Sequence, residues 1–127
     1  MGSKQSIQAA TKSATFPTGK PVLVYWSLCG RGDIVQCLFH AANIEYDLDS
    51  ENANSWPAYK ENCPFGQLPV LKHGDNLVLA QGGAINRYAA RLGGLYPTDP
   101  VEASRCDMII EEVMDVFSCL FKVSECF

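Results

Sequence analysis

The sequence predicts an α/β domain with the element order β-α-β-α-β-β-α, followed by one long helix. Residues 21–26 form a continuous apolar run, short enough for a buried strand, and a helical pattern and a second strand signal follow it. Pro69 stands directly before a third apolar run, and proline fits a sheet only at an edge, a bulge or the start of a strand. Two apolar runs around a four-residue turn then predict a hairpin.

The first half of the domain is predicted to form a parallel β-α-β unit. Residues 27–32 form a glycine-containing turn, and Asp33 suits the first turn of the helix that follows. Residues 45–48 suggest the second strand, a polar loop comes next, and residues 56–60 suggest a short helical turn. The helix before the second strand is marked by apolar residues at helical spacing: Ile34, Val35, Leu38, Phe39 and Ala42.

The second half consists of the hairpin and two helices. Residues 70–72 and 77–79 flank the turn at 73–76, and residues 84–92 carry an amphipathic helical pattern that ends at Gly93. Beyond a linker at 93–100, an apolar stripe predicts a long helix over residues 101–127. No later element covers this stripe, so we expect self-association or a partner. The stripe comprises Ala103, Cys106, Ile110, Val113, Met114, Phe117, Leu120 and Phe121.

Residues 1–20 predict a disordered arm, because they are polar, contain no acid and show no sustained periodicity. Residues 1–6 match the pattern for N-myristoylation at Gly2; an unmodified polar tail is the alternative, and a transit peptide is disfavoured because the arm contains no arginine. A single acyl chain binds membranes marginally and reversibly. A membrane partner is therefore expected only if Gly2 is acylated.

Composition excludes several function classes. The net charge is -4 and there is no basic stripe, which gives no support for nucleic-acid binding. No apolar run approaches the length of a membrane span. The six cysteines show no C-x-x-C spacing and follow no secretory segment, so we expect reduced thiols in a cytoplasmic protein. His40 and His73 form no ligand-spaced cluster with them, so no metal site is expected.

The Leu68–Pro69 bond is a candidate cis bond, because the cis penalty is small before proline and a tight turn can select it. A cis turn would hold the N–H and C=O of Leu68 away from the sheet, free to pair with a ligand's backbone. A trans proline that merely starts a strand is the alternative.

Three stretches resemble the N-terminal domain of cytosolic glutathione transferases, most closely the tyrosine-type, sigma-like members. They are residues 25–33, 65–71 and 81–88, which read YWSLCGRGD, FGQLPVL and QGGAINRY. The resemblance implies a thioredoxin-like, glutathione-binding domain over 21–92 and, over 101–127, the start of an all-helical domain that is cut short. It also implies a homodimer, with glutathione as co-substrate and a small electrophile as the second substrate.

The resemblance also implies roles for individual residues. Tyr25 would donate a hydrogen bond to the glutathione sulfur and favour the nucleophilic thiolate. Arg31 would contact glutathione or form a structural salt bridge. Trp56 and Lys60 would bind the glycine end of glutathione, where Lys60 would meet a carboxylate.

Further roles fall on the proline loop, on the start of the helix at 81–92 and on the long helix. Gln67 and Leu68, beside Pro69, would bind the peptide backbone. Gln81 and Gly82 would hold the γ-glutamyl carboxylate at a helix N-terminus. Asp107 would reach the neighbouring subunit's γ-glutamyl amine, or would be a solvated helix charge.

The chain departs from the family pattern at two of these positions. Gly82 stands where serine is usual, and losing that hydroxyl contact to a carboxylate costs roughly 1.5–3 kcal/mol. Cys29 stands where related proteins keep a reactive thiol with a lowered pKa at a helix N-terminus; an incidental substitution is the alternative, because Tyr25 is also present and no proline follows Cys29. The sequence therefore leaves three functions open: a glutathione transferase, a Cys29-dependent thiol-disulfide activity, and a non-catalytic glutathione-binding or dimerising fragment.

Overall fold

A four-stranded mixed sheet forms the centre of the computed structural model, which describes residues 15–124. The strand order is β2-β1-β3-β4, with β1 parallel to β2 and antiparallel to β3, and with β3 antiparallel to β4. This arrangement confirms the predicted α/β, thioredoxin-like class. The strands are β1 (Val22–Val24), β2 (Asp47–Asp49), β3 (Val70–His73) and β4 (Leu77–Ala80).

The helices lie on both faces of the sheet, and most of them match helices that the sequence predicts. One was missed: α2 lies in the predicted polar loop, where the Asp49 side chain accepts a hydrogen bond from the Asn52 N–H at 3.0 Å and caps the helix. The predicted helical turn is a 3-10 helix displaced towards the C-terminus. The helices are α1 (Asp33–Ala41), α2 (Ser50–Asn54), the 3-10 helix Ala58–Asn62, α3 (Gly82–Leu92) and α4 (Pro100–Ser124).

The core is divided by the sheet. Leu23 and Val24 are fully buried on opposite faces, because successive side chains of a strand point to opposite sides. The first cluster lies between the sheet and the helices α1 and α3, and the second lies under the 3-10 helix. The first contains Leu23, Tyr25, Val35, Phe39, Leu71, Ile85 and Ala89; the second contains Val24, Ala53, Tyr59, Cys63 and Val70.

Residues 15–20 contact the domain, although the sequence assigned them to the arm. Phe16 packs edge-on against Tyr88 with ring centroids 5.7 Å apart, and the Gly19 carbonyl accepts a hydrogen bond from His73 Nε2 at 2.9 Å. Lys20 forms an ion pair with Asp47. The predicted lipidation site at Gly2 lies outside the described residues.

Helix α4 docks against α3 through Arg87. The Arg87 guanidinium pairs with Asp107 Oδ1 at 2.7 Å and with Glu111 Oε1 at 2.6 Å. The predicted apolar stripe of α4 is half-buried from Ala103 to Phe117, so the expectation that it lacks cover was wrong for this part. The stripe is exposed at Leu120, which adjoins a neighbouring exposed apolar row: Val101, Met108, Ile109 and Val116.

Replacing Asn86 with leucine is expected to stabilise the fold. Asn86 is fully buried in α3, and neither amide atom has a hydrogen-bond partner among residues 15–124. Each such orphan group costs about 1–3 kcal/mol, and leucine has the same branched side-chain skeleton without the polar atoms. We expect Asn86→Leu to raise the free energy of unfolding by about 1–3 kcal/mol, measured by urea denaturation. An unchanged or lower midpoint would contradict this, and Asn86→Ala, which leaves a void, should gain less.

The Asp107 ion pair is expected to make stability depend on acid pH. Hydrogen bonds from Arg87 and Tyr96 hold the pKa of the Asp107 carboxyl below its ordinary value of 3.8. The unfolded chain therefore takes up the proton first as pH falls, so this stabilisation is present above about pH 4 and is lost below it. Asp107→Asn should destabilise the protein at pH 7, and its difference from wild type should shrink below pH 4.

Denaturation at several pH values checks this expectation. Asp115→Asn is the matched control, because it removes an exposed carboxylate from the same helix. A difference between wild type and Asp107→Asn that stayed constant from pH 7 to pH 3 would contradict it.

Candidate functional site

A cavity of about 350 Å³ opens between the loop before β3, the first turn of α3 and the facing side of α4. Its volume suits a small ligand. Six of the residues predicted to bind glutathione line it: Arg31, Gln67, Leu68, Pro69, Gln81 and Gly82. The remaining lining residues, which the sequence analysis did not single out for a site, are Gly83, Ala84, Arg87, Glu111, Met114 and Ser118.

The loop before β3 supplies one wall. The Leu68–Pro69 bond is cis, which confirms the sequence prediction; the Trp56–Pro57 bond is also cis and was not predicted. Pairing of β3 with β1 begins at Val70, so Leu68 precedes the ladder. The loop thus brings main-chain groups to the cavity without taking them from the sheet.

The start of α3 supplies the second wall. Gln81 has φ +72°, a left-handed conformation that costs a non-glycine residue about 1–3 kcal/mol and clusters at functional sites. Its side chain donates to Gln67 Oε1 at 3.2 Å, which ties the two walls together. The first N–H groups of a helix have no intrahelical acceptor and stand at its positive end. This wall therefore favours an anion.

Gly82 has a structural reason to lack a side chain. A Cβ at this position would lie 3.2 Å from Met114 Sδ, so the thioether of α4 already occupies the neighbouring space. A serine, which the resemblance led us to expect, would have to displace this flexible side chain. The backbone N–H of Gly82 remains at the cavity wall.

Tyr25 does not line the cavity, but its hydroxyl bonds the backbone of Arg31, which does. The residue is 2% exposed, and its hydroxyl oxygen accepts the Arg31 N–H at 3.0 Å. The turn closes over the ring because two positions lack side chains: a Cβ at Gly30 would lie 2.6 Å from Tyr25 Oη, and one at Gly32 would overlap Tyr25 Cδ1. In the sequence these glycines were predicted only as turn residues; the signal was a Gly-x-Gly that begins five residues after the strand-end tyrosine.

The electrostatics of Tyr25 favour the protonated phenol. Burial raises its pKa above the ordinary value of 10.0, and the N–H groups of Arg31 and Gly32 oppose the rise only in part. Because the oxygen already accepts an N–H, the hydroxyl hydrogen is available to donate. At neutral pH the group is a hydrogen-bond donor, not a base.

Arg31 joins the turn to α4. Its Nη2 donates to Ser118 Oγ at 3.1 Å, and Ser118 in turn donates to the Met114 carbonyl at 2.9 Å. Arg31 also lines the cavity, next to the start of α3. The residue thus has a structural contact and faces the site at the same time, and Ser118 is a partner that the sequence did not reveal.

Trp56 and Lys60 lie beside the cavity rather than on its wall. Trp56 packs edge-on against Trp26 with ring centroids 6.0 Å apart. The Lys60 stem lies against Gly66, where a Cβ would be 3.1 Å from Lys60 Cε. Gly66 adjoins the loop that forms the first wall, so the Lys60 ammonium is next to this loop.

Asp107 is engaged within its own chain. Its Oδ1 accepts hydrogen bonds from Arg87 Nε at 2.7 Å and from the Tyr96 hydroxyl at 2.9 Å, and the residue does not line the cavity. Glu111, one turn further along α4, does line it. Residues four apart share a face of a helix, and this spacing could have identified Glu111 from the sequence.

The surroundings of Cys29 disfavour a thiolate at this position. The thiol is exposed and donates a hydrogen bond to the Asp33 carboxylate, which raises its pKa above the ordinary value of 9.0. The alternative of a reactive thiol with a lowered pKa is therefore not favoured, because Asp33 supplies a negative charge there. The described cysteines are free thiols: Cys29, Cys37, Cys63, Cys106 and Cys119.

Two other kinds of site were sought in residues 15–124. This part of the chain brings together no group of three or more histidine, cysteine or acidic side chains that could hold a metal ion. It also contains no helix with the length and apolarity needed to cross a membrane.

Comparison with known proteins identifies the family. The model of the glutathione S-transferase N-terminal domain matches residues 21–91. Glutathione S-transferase 1 of Ascaris suum is 38% identical over 93 residues, which cover 73% of this chain and 45% of that protein. Hematopoietic prostaglandin D synthase of Gallus gallus is 38% identical over 103 residues, covering 81% and 51%.

Solved structures agree with this result. The crystal structure of the glutathione S-transferase from Ascaris lumbricoides matches with a TM-score of 0.68 and 36% identity, over 76% of this chain and 47% of that one. A Caenorhabditis elegans glutathione S-transferase matches with a TM-score of 0.74 and 30% identity, over 85% and 54%. The chain thus spans about half the length of these relatives. By its sequence, its fold and the family model that it matches, the chain belongs to the glutathione S-transferase family.

Proposed function

We propose that the chain binds glutathione in the 350 Å³ cavity and activates its thiol for attack on an electrophilic substrate. The observation that carries this proposal is that two binding elements line one cavity: the loop before β3, with the main-chain groups of Leu68, faces the start of α3, which favours an anion. The protonated Tyr25 hydroxyl accepts the amide N–H of Arg31, and Arg31 lines the same cavity.

The walls divide the tripeptide between them. The amides of Gly82 and Gly83 receive the γ-glutamyl carboxylate at the positive end of α3. Gln67 and Leu68 pair with the ligand's peptide groups. Trp56 and Lys60 take the glycine end beyond the loop, where the Lys60 ammonium meets the second carboxylate as a compact point charge.

Tyr25 acts on the sulfur as a donor. The thiol releases its proton to solvent, and the thiolate accepts the hydroxyl hydrogen of Tyr25, which lowers the energy of the anion. The sulfur lone pair then forms a bond to an electrophilic carbon, while the electrons of the broken bond leave with the departing group. Burial raises the pKa of Tyr25, so the phenol keeps its proton through this step.

Cys29 is not part of this mechanism. A thiol-disulfide activity needs a thiolate at neutral pH, and the Asp33 carboxylate disfavours one by raising the pKa of Cys29. A non-catalytic glutathione-binding module differs from the proposed enzyme only in turnover. The two are separated by measuring binding and conjugation on the same preparation.

Replacing Tyr25 with phenylalanine should separate chemistry from binding. We expect titration calorimetry to detect glutathione binding by the wild type, and conjugation of a chromogenic electrophile to proceed. Tyr25→Phe removes the donor and should lower kcat about 10²-fold while glutathione affinity changes little.

Tyr46→Phe is the matched control, because Tyr46 donates to Gln36 Oε1 at 3.0 Å and does not line the cavity. Undiminished conjugation by Tyr25→Phe would refute the catalytic role. Binding without turnover in the wild type would favour the non-catalytic module.

We also propose that the chain associates with a second copy through α4. The exposed row of α4 contains large apolar side chains, among them Met108 at 67% and Ile109 at 61% exposure, and contiguous apolar surface of this kind marks interaction sites. A role for Asp107 toward a neighbour's ligand would compete with its bonds to Arg87 and Tyr96.

Charge placed in this row should reduce self-association. Sedimentation of the wild type is expected to show mass increasing with concentration. Ile109→Lys should shift the equilibrium to the monomer, because it buries a charge in the contact. Asn76→Lys is the control, since it adds the same charge at an exposed position of the hairpin turn, away from α4. A wild type that stays monomeric at high concentration would contradict the proposal.

A further inference from the structure

A methionine of α4 lies against the start of α3 in the proposed glutathione cavity. A Cβ at Gly82 would be 3.2 Å from Met114 Sδ and 3.9 Å from Met114 Cε, so the missing side chain at Gly82 leaves room for the thioether. Met114 is half-buried and lines the cavity, so a small molecule that enters the cavity can reach its sulfur. The proposed mechanism does not use this sulfur.

Contacts one turn further along α4 hold Met114 in this place. Ser118 Oγ donates to the Met114 carbonyl at 2.9 Å and accepts a hydrogen bond from Arg31 Nη2 at 3.1 Å. The backbone of α4 is thus tied to the turn after β1 close to this residue. A methionine side chain is unbranched and fills irregular space, and here it fills the space beside the first turn of α3.

The chemistry open to this thioether is oxidation by a hydroperoxide. A lone pair of the sulfur attacks the terminal peroxide oxygen, so that an S–O bond forms while the O–O bond breaks. Two electrons pass from sulfur to the peroxide, and the proton of the transferred oxygen moves to the leaving oxygen, which departs as water or an alcohol. The product is a sulfoxide, a polar group that methionine sulfoxide reductases convert back to the thioether.

The added oxygen would lie beside the amides to which the proposed function assigns the γ-glutamyl carboxylate. The first N–H groups of a helix lack an intrahelical acceptor and stand at its positive end. A sulfoxide oxygen carries a partial negative charge and accepts hydrogen bonds, so it competes with the carboxylate for the amides of Gly82 and Gly83. The reduced thioether is only a weak acceptor and leaves these amides to the ligand.

We propose that oxidation of Met114 by a hydroperoxide reversibly lowers the affinity of the cavity for glutathione. This inference rests on the proposed function and adds a modification site that regulates it. Met108 supplies an internal comparison, because it lies on the same helix, is more exposed and does not line the cavity. Oxidation of Met108 alone should leave glutathione binding as it was.

Treatment of the purified chain with hydrogen peroxide tests this proposal. Dithiothreitol is added afterwards to reduce disulfides and sulfenic acids of the cysteines, and peptide mass spectrometry locates each oxygen that remains. Titration calorimetry is expected to show that oxidised protein binds glutathione about 10- to 100-fold more weakly, the range of one hydrogen bond to a charged group. Methionine sulfoxide reductases for both epimers should restore the affinity, because they do not act on cysteine.

Two variants identify the methionine that is responsible. Met114→Leu keeps an apolar side chain of similar volume without the sulfur, so its affinity should be the same before and after oxidation. Met108→Leu should lose affinity on oxidation as the wild type does. An equal loss in oxidised Met114→Leu would overturn the assignment, as would a Met114 that stays reduced when Met108 is fully converted.

A second ligand separates competition at α3 from a general loosening of α4. The decarboxylated analogue 4-aminobutyryl-cysteinyl-glycine lacks the carboxylate that the amides of α3 receive. Oxidation should weaken glutathione and leave this analogue unchanged; equal weakening of both, or of neither, would overturn the inference while the proposed function stands. A reduced wild type that does not bind glutathione would overturn the proposed function, and this inference with it.

Discussion

The hydrogen bond from the Arg31 N–H to the Tyr25 hydroxyl is the interaction on which the site depends. It forms because the turn after β1 can fold directly onto the tyrosine ring, and this approach needs glycine at positions 30 and 32. The same bond has two further consequences. It leaves the hydroxyl hydrogen available to donate, and it holds Arg31 where its side chain bonds Ser118 on α4 at the cavity wall.

Most of the fold was predictable because its signals are local. Apolar runs, helical spacing and a proline before β3 each restrict the conformation of a few neighbouring residues, and the sheet follows from their order. Helix α2 was missed because five residues give too little periodicity, and its start depends on a cap at Asp49. The described start of the chain was assigned to the arm because its contacts, such as Phe16 with Tyr88, are distant in sequence.

In the site as well, features with a local cause were predictable, and contacts between residues distant in sequence were not. Residues of the proline loop and of the start of α3 were identified, because their backbone geometry is encoded where they stand. Glu111 on α4 was not, although it lies four residues after Asp107, because its place at the cavity and its pair with Arg87 join two helices that are distant in sequence. The state of Cys29 depends on a similar contact: a helix N-terminus lowers a thiol pKa, but the Asp33 carboxylate raises the pKa of Cys29 and outweighs that effect.

The Arg87 ion pairs connect stability with recognition. A guanidinium that lines a cavity beside an anion-favouring helix end would, if it were unpaired, make the cavity strongly positive and select any small anion. Pairing with Asp107 and Glu111 removes this excess and places a negative charge on the wall opposite the helix amides. The docking of α4 thus neutralises the guanidinium that lies beside the anion-favouring start of α3.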